Sequence, residues 1–266
     1  ALAERVYLEW SIRRHVRIAT RLLTISEASK RDLVRLYAAD PARIDVAYPA
    51  VEARFRPATA DEIARVRHRH GLAERYVLHL GTIKPRKNLP RLIRAFVQAH
   101  LPPDTQLALG GMTTYGGRAV EEAVAAAGLE HRVKRLAYVP DADLPALYSG
   151  AACVAIVSLY EGFGMPALEA LACGAPLLVS NRGSLPEITG NAAVVVDALD
   201  VGSIATGLAT VLEDARLRAE LNARGPRRAA DFDWSSAAHV TRRALELAFG
   251  SDAGTRAPSR QPSATS

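Results

Sequence analysis

The chain is poor in cysteine, lysine and aromatic residues, and it contains no long apolar run. Its two cysteines, Cys153 and Cys173, fall in a strand-like and a helix-like stretch with no metal-ligand partner at a recognisable spacing, so buried thiols are expected, not a disulfide or a metal site. Apolar stretches such as 153–157 are far shorter than the ~20 residues that a bilayer requires, and no signal-peptide pattern opens the sequence. A cytoplasmic protein is therefore expected. Aromatics make up 6% of the residues and do not cluster among the basic ones, which argues against a stacking platform for nucleic acid. Only four lysines occur, and two of them, Lys84 and Lys87, stand three positions apart.

What is present suits an α/β protein. With 266 residues, 49% of them apolar, the chain can bury one or two ordinary α/β cores, but two full-sized domains would be cramped, so one complete domain plus a piece is expected. The net charge of +6 is concentrated at the start, where residues 1–57 hold 11 Lys+Arg against 7 Asp+Glu. Arg13, Arg14, Arg17, Arg21, Lys30, Arg31 and Arg35 could face anionic lipid at the inner side of a membrane or a charged acceptor, although such a run is more often a solvated helix face.

From residue 76 to about 196, short β-rich runs alternate with helical ones. Strands are expected at 76–80, 106–109, 133–137, 153–157, 176–180 and 193–196, and strands that recur with helices between them predict a doubly wound parallel sheet. Before it lie a helix-like run over 3–19, a strand at 22–25, a helix from Ser26 (a candidate N-cap) to Ala38 and a strand at 44–47, which read as the closing elements of an earlier domain. Pro49 and Pro57 bracket an interdomain linker. Helices are expected at 202–212, 215–224 and 235–248. The expected domains are thus 1–57, 58–249 and a disordered tail, 250–266, rich in Ser, Pro, Ala and Gly.

Two strand-turn-helix corners carry the chemistry. In the first, a buried strand ends at Gly81 and Asn88 is placed to N-cap a helix, so Arg86 and Lys87 fall at the carboxyl edge of the sheet, where open α/β sheets bind ligands. They read either as a solvated turn or as an exposed cationic clamp on phosphate. In the second corner, Glu161-Gly162-Phe163-Gly164-Met165-Pro166 leads into a helix that Gly174 ends. The glycines let the backbone approach a ligand, so the amides of Phe163, Gly164 and Met165 can face an anion under the positive helix end. Two carboxylates beside a phosphate would repel it, so hydroxyl groups are the fitting partners: a sugar for Glu161 and a ribose for Glu169. Read alone, the pair fits equally a loop end and a helix-surface charge.

The segment Glu161–Glu169, with seven residues between the glutamates, resembles the GT4-type retaining glycosyltransferases of GT-B fold. The resemblance extends to Pro85-Arg86-Lys87-Asn88 upstream and to Ala170–Pro176 and Ser184-Leu185-Pro186-Glu187 downstream, and covers roughly residues 5–249. Leu23–Glu27 looks like the end of that family's acceptor domain, and Tyr138-Val139-Pro140, followed by Leu144, Leu147 and Tyr148, like its loop near the nucleotide base. The resemblance implies one complete Rossmann-like donor domain plus a remnant of a second. The donor would be a nucleoside-diphosphate sugar and the acceptor a glycan or lipid-linked sugar, with neither metal nor cofactor. Arg86 and Lys87 would neutralise the diphosphate, Phe163–Met165 offer amides, Glu161 contact the sugar and Glu169 hold the ribose. Two departures stand out: Thr82 follows Gly81 where the family often has Arg, and Ala137 stands where it often has Gly. The first places more of the phosphate charge on Arg86 and Lys87.

Other motifs are set aside. Asp141-Ala142-Asp143 has the shape of a metal-nucleotide motif but opens a helix, where acidic residues suit the dipole. Gly111 and Gly116 imitate a P-loop, yet Gly117-Arg118 replaces its Lys-Ser/Thr, and Gly162-Phe163-Gly164 lacks the third glycine of a dinucleotide fingerprint. His68 and His70 cannot share a helix face for a metal, His79 lies in a core-like strand, and Ser184 with Glu187 fits a capping box. A binding module without transfer and an epimerase on the same fold stand as rivals to transfer. With about 57 residues before the sheet domain, the acceptor side is expected to be largely absent and the helices over 3–38 to expose apolar faces.

Overall fold

The computed structural model describes residues 2–136 and 138–252. The Ala137 position and the tail from residue 253 onward lie outside the described residues.

In chain order the first elements are α1 (Leu2–Ile18), β1 (Leu22–Thr24), α2 (Glu27–Tyr37), β2 (Ile44–Val46), α3 (Ala60–Arg69), β3 (Tyr76–Leu80), α4 (Leu89–Gln98), β4 (Gln106–Gly110), α5 (Gly117–Ala126) and β5 (Val133–Leu136). There follow α6 (Leu144–Ser149), β6 (Cys153–Ile156), α7 (Met165–Ala172), β7 (Leu177–Ser180), α8 (Leu185–Thr189), β8 (Val194–Val196), α9 (Val201–Glu213), α10 (Ala215–Ala229) and α11 (Trp234–Asp252). They form two compact units, one made of residues up to Pro49 together with those from Trp234, the other of Ala50–Asp233.

In the first unit β1 and β2 pair in parallel, Leu22 opposite Ile44, over a small core of Val16, Ala39 and Ile44. Ser26 caps α2 as its sequence predicts, its side chain accepting from the Ser29 amide. Val6, Leu8, Trp10 and Ile18 of α1 are exposed. Part of the basic run is satisfied internally: Arg13 pairs with Glu9, Arg21 with Asp45, Arg35 with Asp32, and Lys30 donates to the Ile44 carbonyl. That favours the solvated-face reading of the run. The helix α11 runs past Gly250, where the sequence suggests a tail.

The second unit holds a six-stranded, all-parallel sheet in the order β5-β4-β3-β6-β7-β8. Its central strands are buried on both faces and apolar but for His79 and Ser180, as a sheet covered by helices on each side requires. On one face Val77, Leu109, Ala155 and Leu178 pack against Leu92, Ile93 and Phe96 of α4 and Ile204 and Leu208 of α9. The order in which strands are added reverses between β3 and β6, so the crevice outside their carboxyl ends is the topological switch point. Both cysteines are buried free thiols, and burial pushes each up to about 12. Among the described residues no helix is long and apolar enough to cross a membrane.

Local details differ from the sequence reading. The helix expected at 215–224 continues through Gly225 and Pro226 to Ala229. Asp143 does not cap α6: its buried carboxylate bridges Arg69 at 2.6 Å and His70 at 2.8 Å, tying α3 to the turn before α6. Ser184 makes no capping bond either.

Candidate active site

The two corners meet at the switch point. After β3 the chain turns at Gly81, forms a single 3₁₀ turn over Pro85–Lys87 and enters α4 through Asn88, whose φ of 61° is left-handed. Asn88 is not a side-chain cap. Its amide instead donates to the carbonyls of Val157 (3.0 Å) and Ala198 (2.7 Å), beyond β6 and β8. The Leu159 amide donates to the Arg86 carbonyl at 2.8 Å, so backbone joins backbone across the crevice.

Glu161 is the centre of the cluster. Its Oε1 accepts from Lys87 Nζ (2.6 Å) and Ser158 Oγ (2.7 Å), and its Oε2 accepts from Arg86 Nη1 (2.7 Å). Burial pushes the Glu161 carboxyl up, but the Lys87 ammonium and the three hydrogen bonds outweigh it and hold the group below the usual carboxylate range. The Lys87 side chain is 6% exposed and the Arg86 side chain 48%. Lys87 is therefore no exposed corner cation: it fills a buried position where charge is tolerated because Glu161 faces it, while Arg86 keeps the freedom to turn toward a ligand.

Gly164 adopts φ +94° and starts α7, with Pro166 in the first turn. A Cβ there would lie 2.8 Å from Leu185 Cδ2. Among the described residues the amides of Gly164 and Met165 donate to no protein acceptor, as expected of a first helical turn. The Phe163 side chain packs edge-on against Phe232. Ser184 Oγ lies 3.0 Å from the Glu161 carbonyl and 2.7 Å from that of Phe163, clamping the turn that carries both. At the other end of the seven-residue spacing, Glu169 accepts from Tyr148 Oη at 2.8 Å. Burial raises the Glu169 carboxyl, the Tyr148 bond and Arg54 counteract, and Asp141 and Glu52 add to the rise.

The remaining expected positions lie at the rim. Thr82 is partly exposed, and Tyr138, 72% exposed, lines a shallow cleft with Met112, Thr113 and Arg135, while its neighbour Val139 is buried. Ser158 and Ser184 were missed by the sequence reading. The first is an unremarked strand end, and the second carried a helix-cap signature that the fold uses otherwise.

The profile of Glycosyl transferases group 1 matches residues 61–228. The chain belongs to this family. Among relatives of this group 1 chain, O-antigen chain mannosyltransferase B of Escherichia coli is 35% identical over 246 residues, covering 91% of the chain and 64% of the relative. D-inositol 3-phosphate glycosyltransferase of Salinispora tropica is 38% identical over 236 residues, covering 81% and 48%. The chain thus spans between about half and two thirds of those relatives. Among solved structures, Anabaena Alr3699/HepE in complex with UDP and glucose superposes with a TM-score of 0.79 at 22% identity, over 91% of this chain and 66% of that one. The fold is that of the GT-B glycosyltransferases, with the six-stranded unit as a Rossmann-like domain.

Proposed function

We propose that the six-stranded unit binds a nucleoside-diphosphate sugar at the switch point and serves a glycosyl transfer that retains configuration at the anomeric carbon. The observation that supports it most is the convergence of Lys87, Arg86 and the start of α7 on one crevice around an ionised Glu161. As the bond from the anomeric carbon to the diphosphate oxygen breaks, negative charge gathers on the leaving group. Arg86, a free N–H of Lys87 and the Gly164 and Met165 amides are preorganised to meet that charge. Glu161 is held by two cations and a serine, so it orients a sugar hydroxyl and is a poor nucleophile. Glu169, braced by Tyr148, takes the ribose, and Tyr138 and Val139 border the base. Gly81 and Thr82 flank the phosphates.

Residues 1–57 supply closing elements of the acceptor-side domain, up to Pro49, and the linker after it in this reading, and the acceptor is a glycan or lipid-linked sugar at the inner membrane face. Mannose is the first sugar to test, because one of the relatives above is by name a mannosyltransferase. Calorimetry with GDP, UDP and their mannose and glucose conjugates tests the site. Glu169→Gln is expected to weaken free nucleoside diphosphate and intact donor alike, and Glu161→Gln to weaken mainly the intact donor. Equal losses for both ligands in both variants would overturn this division of roles. The product of a chain extended upstream, examined by NMR at its anomeric carbon, decides retention and separates transfer from mere binding or epimerisation.

A further inference from the structure

His79 lies at the heart of this site and the scheme above gives it no role. It occupies β3, two residues before Gly81, and its side chain is fully buried. Nδ1 is 2.9 Å from the Ala155 carbonyl oxygen, which places the ring proton on Nδ1 and leaves Nε2 a bare acceptor. Nε2 is buried and has no partner among the described residues. It points to a niche beside Gly81, where a Cβ would stand 4.0 Å from Nε2 and 3.3 Å from Lys87 Nζ. Gly81, at φ +142°, keeps that niche open.

We propose that His79 is a positioning residue of the donor site: the two groups are not bonded in the structure, and a rotation of the Lys87 stem brings a second N–H onto Nε2 across the niche beside Gly81, so aiming the third at a bound diphosphate. The proposal rests on the donor-site reading above. An ammonium has three donors, and Lys87 gives only one to Glu161. A buried lone pair left unpaired is costly, and an apolar residue would fill this strand position without that cost. The imidazole also stays uncharged in this setting. Burial pushes it down, the Ala155 bond opposes this, the Lys87 cation lowers it further and Glu161 raises it, for a result of about 4. A neutral ring can accept from Lys87, whereas a protonated one would repel it.

NMR of the full chain with ¹⁵N-labelled histidine tests the pair. Lys87→Met removes the donor but keeps the stem, and is expected to move the Nε2 resonance toward that of an unbonded lone pair. An unchanged resonance overturns the proposal. Binding supplies a second, independent measurement, taken on variants whose cooperative unfolding is intact. His79→Leu is expected to weaken the nucleoside diphosphate about tenfold, the loss of one well-aimed charge-assisted bond. His79→Gln, which retains an acceptor, is expected to recover most of that loss. Wild-type affinity in His79→Leu, or equal losses in both variants, also overturns it. If neither GDP nor UDP binds the wild-type chain, the donor-site reading fails and the aiming role with it, while the resonance still decides whether ring and ammonium are paired.

Discussion

Replacing Lys87 by methionine should cost stability as well as affinity. The ammonium and the Glu161 carboxylate are 6% and 7% exposed and 2.6 Å apart, so removing one leaves the other buried. Breaking such a pair typically costs about 3–5 kcal/mol. Here Arg86 and Ser158 still hold the carboxylate, and Arg86 is half exposed, so its pairing is weakened by solvent. An expected loss of about 2–3 kcal/mol follows, which for a domain of this size lowers the melting temperature by very roughly 4–10 °C. Adding Glu161→Gln removes the stranded charge, and the double variant should regain at least half of the loss. The pH dependence gives an internal check. Without Lys87 the folded Glu161 carboxyl loses the main counterweight to its burial and rises from its position in the wild type, so the penalty is present at neutral pH and shrinks as acid protonates the group. Urea unfolding of the wild type and the two variants from pH 7.5 to 4.5 measures all of this. A loss below about 0.5 kcal/mol, or one that the second substitution deepens, would show that the pair does not support the fold.

Gly164→Ala places a Cβ 2.8 Å from Leu185 Cδ2 at a left-handed backbone position, so it should lose about 1–3 kcal/mol in thermal unfolding and most nucleoside diphosphate affinity in calorimetry. Tyr148→Phe removes the hydrogen bond that lowers the Glu169 carboxyl, so the acid limb of the binding curve should move to higher pH; an unmoved limb would separate Glu169 from the ligand. His79 titrates at about 4 in the folded chain against 6.5 when unfolded, so the unfolded chain holds the extra proton between those values and stability falls as pH drops. About 2 kcal/mol should be lost on this account between pH 7 and pH 5, and His79→Leu should abolish that part of the slope in urea titrations.

The sheet was legible because its strands are short, apolar and separated by helical spacing. Tyr76–Leu80 appears with the expected bounds, and the other strands within a residue or so at either end. The two corners were legible for a related reason: glycine, proline and charge fall at fixed offsets from strand ends. What escaped was the partner of each polar side chain. Asn88, Asp143 and Ser184 all stand where a capping residue would, and local sequence cannot show that their partners lie across the fold, at Val157 and Ala198, at Arg69 and His70, and at Glu161 and Phe163. The burial of Lys87 was hidden likewise, because Glu161 comes 74 positions later.

The tie from Asn88 to Val157 and Ala198, with the Leu159 amide on the Arg86 carbonyl, has a consequence for how this site can change. Neither corner can be remodelled alone, because each is part of the other's scaffolding. A shift of the phosphate clamp would drag the loop that carries Glu161 along with it. Divergence in what the crevice accepts is thereby pushed outward to rim side chains such as Met112, Tyr115 and Tyr138, which are exposed and can vary without disturbing the frame.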